Sequence, residues 1–73
     1  MREYELPYPR IRALREDADL PQRVLAKYLH CSQVTYSYYE LGRRDIPTVT
    51  LIRLAKYHHC SIDYLLGLSD QKQ

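Results

Sequence analysis

After a polar start containing two prolines, apolar residues recur every three or four positions along most of the chain. That is the spacing of helices with one buried face. Ile11, Leu14 and Ala18 follow Pro9 at i, i+3 and i+7, and a proline suits the entry to a first helical turn. The spacing predicts a helix over 10–17, stopping at Ala18-Asp19, where Asp tolerates a left-handed cap. Val24, Leu25, Tyr28 and Leu29 share the face of a second helix, starting near Pro21 and ending near Leu29-His30. Ser32 is a good N-cap and Gly42 an apt terminator for a third helix over 33–41. Thr48 reads as the cap of a fourth over 49–58, with Leu51, Ile52, Leu54 and Ala55 as its buried face. Ser61 caps a last short helix over 62–66, with Asp63 near its positive end, Ile62, Leu65 and Leu66 inward and Gly67 as its stop. No segment alternates as a strand does, and there is no internal repeat. The expected fold class is all-α: five short helices in one domain.

Residues 1–9 read as an N-terminal arm, 10–66 as the folded domain and 67–73 as a C-terminal tail. A length of 73 residues allows one small domain and no separate catalytic or effector domain. The hydrophobic share of 45% and charged share of 27% are those of a globular chain. No apolar run approaches the roughly 20 residues of a membrane helix, and the first residues do not form a secretory signal. Cys31 and Cys60 are therefore read as free thiols in a reducing cytoplasm. All eight aromatic residues are tyrosine, which favours half-wet positions because each hydroxyl wants a partner or water. Tyr4 and Tyr8 fall in the arm, Tyr28 and Tyr57 at the rim of the core, and Tyr36 and Tyr39 on the side of the third helix that faces the second.

The formal net charge of +2 hides an uneven distribution. Residues 1–19 carry four basic and five acidic side chains, 20–56 carry six and two, and 57–73 carry one and two. A basic centre between acidic ends fits one positive face for a polyanion. The same basic centre contains a helix, a tight turn and a second helix between Gln22 and Gly42. Such a unit can project its second helix, about 10 Å across, into a DNA major groove about 12 Å wide. The groove-facing residues at its start would be Gln33, Val34, Ser37 and Tyr38. Gln can bond adenine with two hydrogen bonds, Val can pack on a thymine methyl, and Ser can donate or accept.

At these residues the chain resembles the lambda-repressor-like, Cro/CI-type (XRE) helix-turn-helix family. The matching pieces are Ile11 to Arg15, Leu20-Pro21-Gln22, Leu25-Ala26 and Cys31 to Thr35. They continue through Tyr39 to Arg44, Ile46-Pro47, Leu51 to Ala55 and Ser61 to Gly67. The resemblance implies a five-helix DNA-binding domain and a sequence-specific transcriptional regulator, a repressor, that binds double-stranded DNA as a homodimer. It implies that Gln22 orients Gln33 and touches a phosphate, that Arg43 and Arg44 contact phosphates, and that Arg15 pairs with Glu40 as a structural ion pair. It puts Tyr64 in an aromatic slot of the last helix. The expected dimer surface is the last helix with the tail, through Tyr64 and Leu68, with the arm 1–9 as the alternative. The chain departs from the family pattern at Pro21, where Ser or Thr usually caps the helix, and at His30, where the turn usually has Gly. Asp45 is acidic in a loop that is often basic, and Tyr38 is large for a base-reading position.

Rival readings are weaker. His30, Cys31, His58, His59 and Cys60 lack the paired spacing of a structural zinc site, so the cysteines read as core thiols and no metal or cofactor is expected. No nucleophile-base set is present, so no catalytic residue is assigned and an enzyme is not expected. An antitoxin or other protein-interaction module using the same fold, with a toxin as partner, is the alternative function.

Overall fold

Five helices follow one another in the computed structural model, which describes residues 7–73. They are α1 (Ile11–Asp17), α2 (Gln22–Tyr28), α3 (Gln33–Leu41), α4 (Thr48–His58) and α5 (Ile62–Leu65), with no strand among the described residues. Each helix sends one side chain to the centre. Ile11, Leu25, Tyr36, Leu54 and Leu65 are the fully buried large residues, one from each helix in turn. Burying a side chain of this size stabilises by about 1.5–3 kcal/mol, so a small domain rests on few such anchors. Leu14, Leu20, Val24, Leu51, Tyr57, Ile62 and Leu66 pack around them with the two cysteines.

All five helices end in the same way. The residue after the last turn is left-handed: Asp19 (φ 57°), His30 (58°), Gly42 (72°), His59 (55°) and Gly67 (77°). The N–H one place further on then reaches back five residues, as Leu20 to Arg15, Cys31 to Ala26, Arg43 to Tyr38, Cys60 to Ala55 and Leu68 to Asp63, at 2.9–3.1 Å. This motif satisfies carbonyls that a helix end would otherwise leave open and turns the chain sharply. Asp19, His30 and Gly42 occupy such positions in line with the sequence. His59 was not foreseen, because no glycine marks it. At Gly67 an added Cβ would lie 3.1 Å from Pro9 Cγ, so steric room adds to the need for positive φ.

The helix starts follow the sequence in part. The Ser32 and Ser61 hydroxyls accept from the N–H groups of Thr35 and Tyr64, both at 3.0 Å. Pro21 caps α2 by conformation alone, with no side-chain hydrogen bond. Thr48 is not the cap of α4: Pro47 takes that position and Thr48 opens the helix. The expected buried face of α4 also needs correction. Ile52 is 40% exposed, whereas His58 is buried with Leu54 and Ala55. Leu51, Leu54, Ala55 and His58 form the i, i+3, i+4, i+7 stripe, and Ile52 lies a hundred degrees round from Leu51. Tyr28 is exposed at the core's edge, its ring 4.8 Å from that of Tyr57. Ala18 lies past the end of α1 and is exposed.

Both ends of the described chain dock on the body. Tyr8, read from the sequence as part of an arm, is buried in the core; Tyr4 and the rest of 1–6 lie outside the described residues. The Arg10 guanidinium stacks 4.0 Å above the Tyr64 ring. It also donates to the carbonyls of Tyr64 and Ser69 and pairs with Asp70. The Ser61 N–H donates to the Lys72 carbonyl at 2.7 Å. The residues read as a tail are thus fastened to both α1 and α5.

Candidate nucleic-acid interface

The unit α2-turn-α3 is built from the inside outward. Tyr36 and Tyr39 are both buried, with their rings edge to face at 6.5 Å, and fix the roll of α3 against the body. The opposite side of α3 is thereby turned to solvent. Gln33, Val34 and Tyr38 are exposed there and Ser37 is half-buried. Together with Gln22, at the start of α2, these four side chains line an open depression of about 340 Å³. Its lining is polar amide and hydroxyl with one apolar and one aromatic group. That mixture suits the edges of bases, which present donors, acceptors and methyl groups.

Beneath this surface is an ionic contact. Arg15 donates from Nε to Glu40 Oε2 at 2.6 Å and from its second terminal nitrogen to Oε1 at 3.2 Å. Its remaining nitrogen donates to the Leu20 carbonyl at 2.7 Å. The Arg15 and Glu40 side chains are only 12% and 3% exposed. The Gln22 amide Nε2 also donates to Glu40 Oε1, at 3.1 Å. Burial pushes the Glu40 carboxyl up. The hydrogen bonds of Arg15 and Gln22, with the Tyr36 hydroxyl nearby, outweigh it, and the carboxyl ends below the usual carboxylate range. The Tyr36 hydroxyl is itself buried and has no hydrogen-bond partner among the described residues. Its pKa is driven up by burial first and by Glu40 second.

Arg43, Arg44 and Asp45 follow Gly42 and are exposed. Among the described residues, none of the three makes an ion pair. The loop they occupy is held at its far end, where Ile46 is buried and its N–H bonds the Tyr8 hydroxyl. Sequence reasoning missed that anchor, although Tyr8 stands three residues before Ile11, the spacing of one helical face. It also missed the bond between Gln22 and Glu40.

The remaining chemistry-bearing residues do not converge. Among the described residues no three His, Cys, Asp or Glu side chains come together as metal ligands would. Cys31 and Cys60 are free, half-buried and packed on the core, and burial raises both thiol pKa values. No described helix is long and apolar enough to cross a membrane. A second groove of about 510 Å³ runs along α4 and the turn into α5, lined by Ile52, Ala55, Cys60 and Ile62 among others.

The architecture is that of a helix-turn-helix domain, with α2 and α3 as the two helices of the motif. The sequence pattern of the helix-turn-helix family matches residues 11–65, and the chain belongs to that family. It is 34% identical over 61 residues to the uncharacterised HTH-type transcriptional regulator YobD of Bacillus subtilis, covering 84% of this chain and 54% of YobD. It is 36% identical over 58 residues to the HTH-type transcriptional regulator ImmR of the same organism, covering 80% of this chain and 46% of ImmR. The chain therefore spans about half the length of these two relatives. The fold is similar to that of the P22 c2 repressor solved in complex with a synthetic operator. The TM-score is 0.79 at 33% identity, with 90% of this chain and all of that one covered. The all-α, lambda-repressor-like fold expected from the residues is the fold observed.

Proposed function

We propose that this chain is a sequence-specific DNA-binding transcriptional regulator, a repressor, that places α3 in the major groove. The observation that carries the reading is the exposed depression lined by Gln22, Gln33, Val34, Ser37 and Tyr38. In this reading Gln33, Val34, Ser37 and Tyr38 contact base edges, and Gln22, Arg43 and Arg44 hold the phosphate backbone on either side. Arg15 and Glu40 are the structural support of that surface. Membership of the helix-turn-helix family and the likeness to a repressor solved on its operator support it. The protein acts from the cytoplasm as a homodimer on two half-sites about one helical turn apart, because one small module supplies limited affinity. Val49, Ile52 and Leu68 are exposed apolar side chains available to a second copy.

Selection of bound duplexes from a random pool tests this directly. A recurrent motif with two-fold symmetry is expected, bound with an affinity that falls steeply as salt rises. A pool that never converges, with no salt-sensitive binding, would leave a protein-interaction module as the better account.

A further inference from the structure

We propose that Arg10 is a positioning residue for the loop after α3: it clamps residues 8–10 onto α5 and the tail, presents the Tyr8 hydroxyl to that loop, and so lets the tail set DNA affinity from a distance. The inference rests on the reading of Arg43 and Arg44 as phosphate contacts. The loop has little of its own to hold it. The Arg43 N–H closes the end of α3 on the Tyr38 carbonyl at 2.9 Å, and the next N–H along the chain to bond a backbone carbonyl is that of Leu51. Between them, among the described residues, the backbone of residues 44–46 makes one hydrogen bond, from the Ile46 N–H to the Tyr8 hydroxyl at 2.8 Å. Without it, Arg43 and Arg44 would sit on a segment anchored only by the end of α3 and the burial of Ile46.

Tyr8 is in turn placed by its neighbours. It precedes α1, and among the described residues its N–H makes no backbone hydrogen bond, so side-chain docking holds it. Pro9, with its φ fixed by the ring, lies against Gly67, where an added Cβ would come within 3.1 Å of Pro9 Cγ. Arg10 supplies the rest. Its guanidinium lies 4.0 Å from the centre of the Tyr64 ring, donates to the Tyr64 carbonyl at 2.9 Å and to the Ser69 carbonyl, and pairs with Asp70 at 3.0 Å. A planar fork that stacks and donates in several directions at once is a property of arginine and not of lysine. One side chain thus ties α5 to the tail. It also lies two positions from Tyr8, a span of at most about 7 Å with a proline inside it, so there is little slack to absorb a shift. A held loop offers its two guanidinium groups already placed. A loosened loop must be ordered on binding, and that cost is the same on every DNA sequence. Whatever draws the tail off Arg10 therefore weakens DNA binding without touching the depression or the loop.

The experiment measures the affinity of the full chain for the duplex it selects and for a scrambled one, at a temperature where every variant compared is folded. A wild type that binds neither duplex would refute the functional reading, and this inference with it. Once the wild type binds, the variants judge the coupling alone. Arg10→Ala and Tyr8→Phe are each expected to weaken both duplexes alike, by about three- to tenfold, and the double variant to be no weaker than the weaker single. In an Arg43→Ala/Arg44→Ala background neither substitution should cost more than about twofold, because the loop then has no contacts to place. Hydrogen exchange of the Ile46 amide should speed up in both single variants. Tyr57→Ala is the control for a merely structural effect: its melting temperature falls, while its affinity stays within about twofold. If Arg10→Ala does not fold, Arg10→Lys takes its place under the same criteria, since it keeps a positive charge near Tyr64 but loses the fork. Wild-type affinity in the folded Arg10 variant would overturn the proposal. So would a loss that persists undiminished without the two loop arginines, or one that Tyr57→Ala reproduces.

Discussion

The backbone N–H of Ile46 donates to the hydroxyl of Tyr8 at 2.8 Å, and both residues are buried. A side chain close to the start of the chain thus fixes the loop that carries Arg43 and Arg44. The contrast with Tyr36 is informative, since its buried hydroxyl has no partner among the described residues. Removing one hydroxyl strands a buried donor, and removing the other relieves an unsatisfied group. Tyr8→Phe is therefore expected to destabilise by about 1–3 kcal/mol and to lower Tm by several degrees. Tyr36→Phe is expected to cost less, because relief of its unsatisfied hydroxyl is set against the loss of its support for the Glu40 carboxylate. Thermal melts of the two variants check this, and equal losses would show that the two hydroxyls have similar surroundings.

Arg15→Ala is expected to be the most damaging of the surface-side substitutions. It removes three hydrogen bonds and leaves Glu40 charged at 3% exposure with only Gln22 as partner. Breaking a buried pair in this way costs about 3–5 kcal/mol, a large part of a small domain's stability. In a binding assay at one temperature the variant would resemble a DNA-contact defect. Chemical denaturation separates the two effects. An unchanged unfolding midpoint would mean that the pair contributes nothing to folding.

Much of this architecture is legible in the sequence because it is written locally. Ser32 and Ser61 cap helices through their own hydroxyls, and Gly42 and Gly67 mark stops that only a positive φ permits. What escapes is set by tertiary placement. Ile52 looks inward if every apolar residue of α4 is counted, but only one stripe of a helix can face the core, and His58 completes it. Tyr8 keeps the spacing of the Ile11 face but stands between Pro7 and Pro9, before the helix starts, so the local pattern reads as an arm and only tertiary placement buries it. The bond from Gln22 to Glu40 joins residues on different helices, and spacing along the chain carries no trace of it.

The left-handed helix ends offer a gain in stability. His30 and His59 adopt φ of 58° and 55°, where a Cβ crowds the backbone and glycine does not. Replacing His30 with Gly relieves that strain, offset in part by the greater freedom of the unfolded chain. His30→Gly is expected to raise stability by about 0.5–1 kcal/mol. Selected-duplex affinity should be unchanged, because His30 does not line the depression. A fall in Tm would show that the imidazole makes a compensating contact.

Acid should weaken the fold in two stages. Burial lowers the pKa of His58 below its ordinary 6.5, and the neighbouring positive groups Lys72 and His59 act in the same direction. Its Nε2 is buried without a partner among the described residues. In the unfolded chain His58 regains its ordinary affinity for protons, so below about pH 6.5 unfolding takes up a proton and stability falls. Glu40 has the same sign at lower pH. Its lowered carboxyl pKa stabilises the fold above the ordinary 4.5, and that contribution is lost as pH falls further. Melting temperature should be level near about pH 7, decline below about 6.5 and fall more steeply below about 4.5. His58→Phe should abolish the first decline and leave the second. Persistence of the first decline in that variant would assign it to another group.

The proposed division between base and phosphate contacts predicts two different defects from neighbouring substitutions. Gln33 is the first residue of α3 and lies in the depression; Arg43 lies on the loop beyond Gly42 and outside it. An interaction with a base edge is lost only on duplexes that present the right base. Gln33→Ala should therefore reduce affinity for the selected motif by about 1–3 kcal/mol while barely changing affinity for unrelated duplexes. A phosphate is the same on every sequence. Arg43→Ala should weaken all duplexes alike and reduce the dependence of log affinity on log salt by about one contact. Titrations of both variants against the selected and a scrambled duplex, at several salt concentrations, separate the two. A uniform loss for Gln33→Ala together with a sequence-dependent loss for Arg43→Ala would exchange the two roles, and with them the face of the domain that reads the groove.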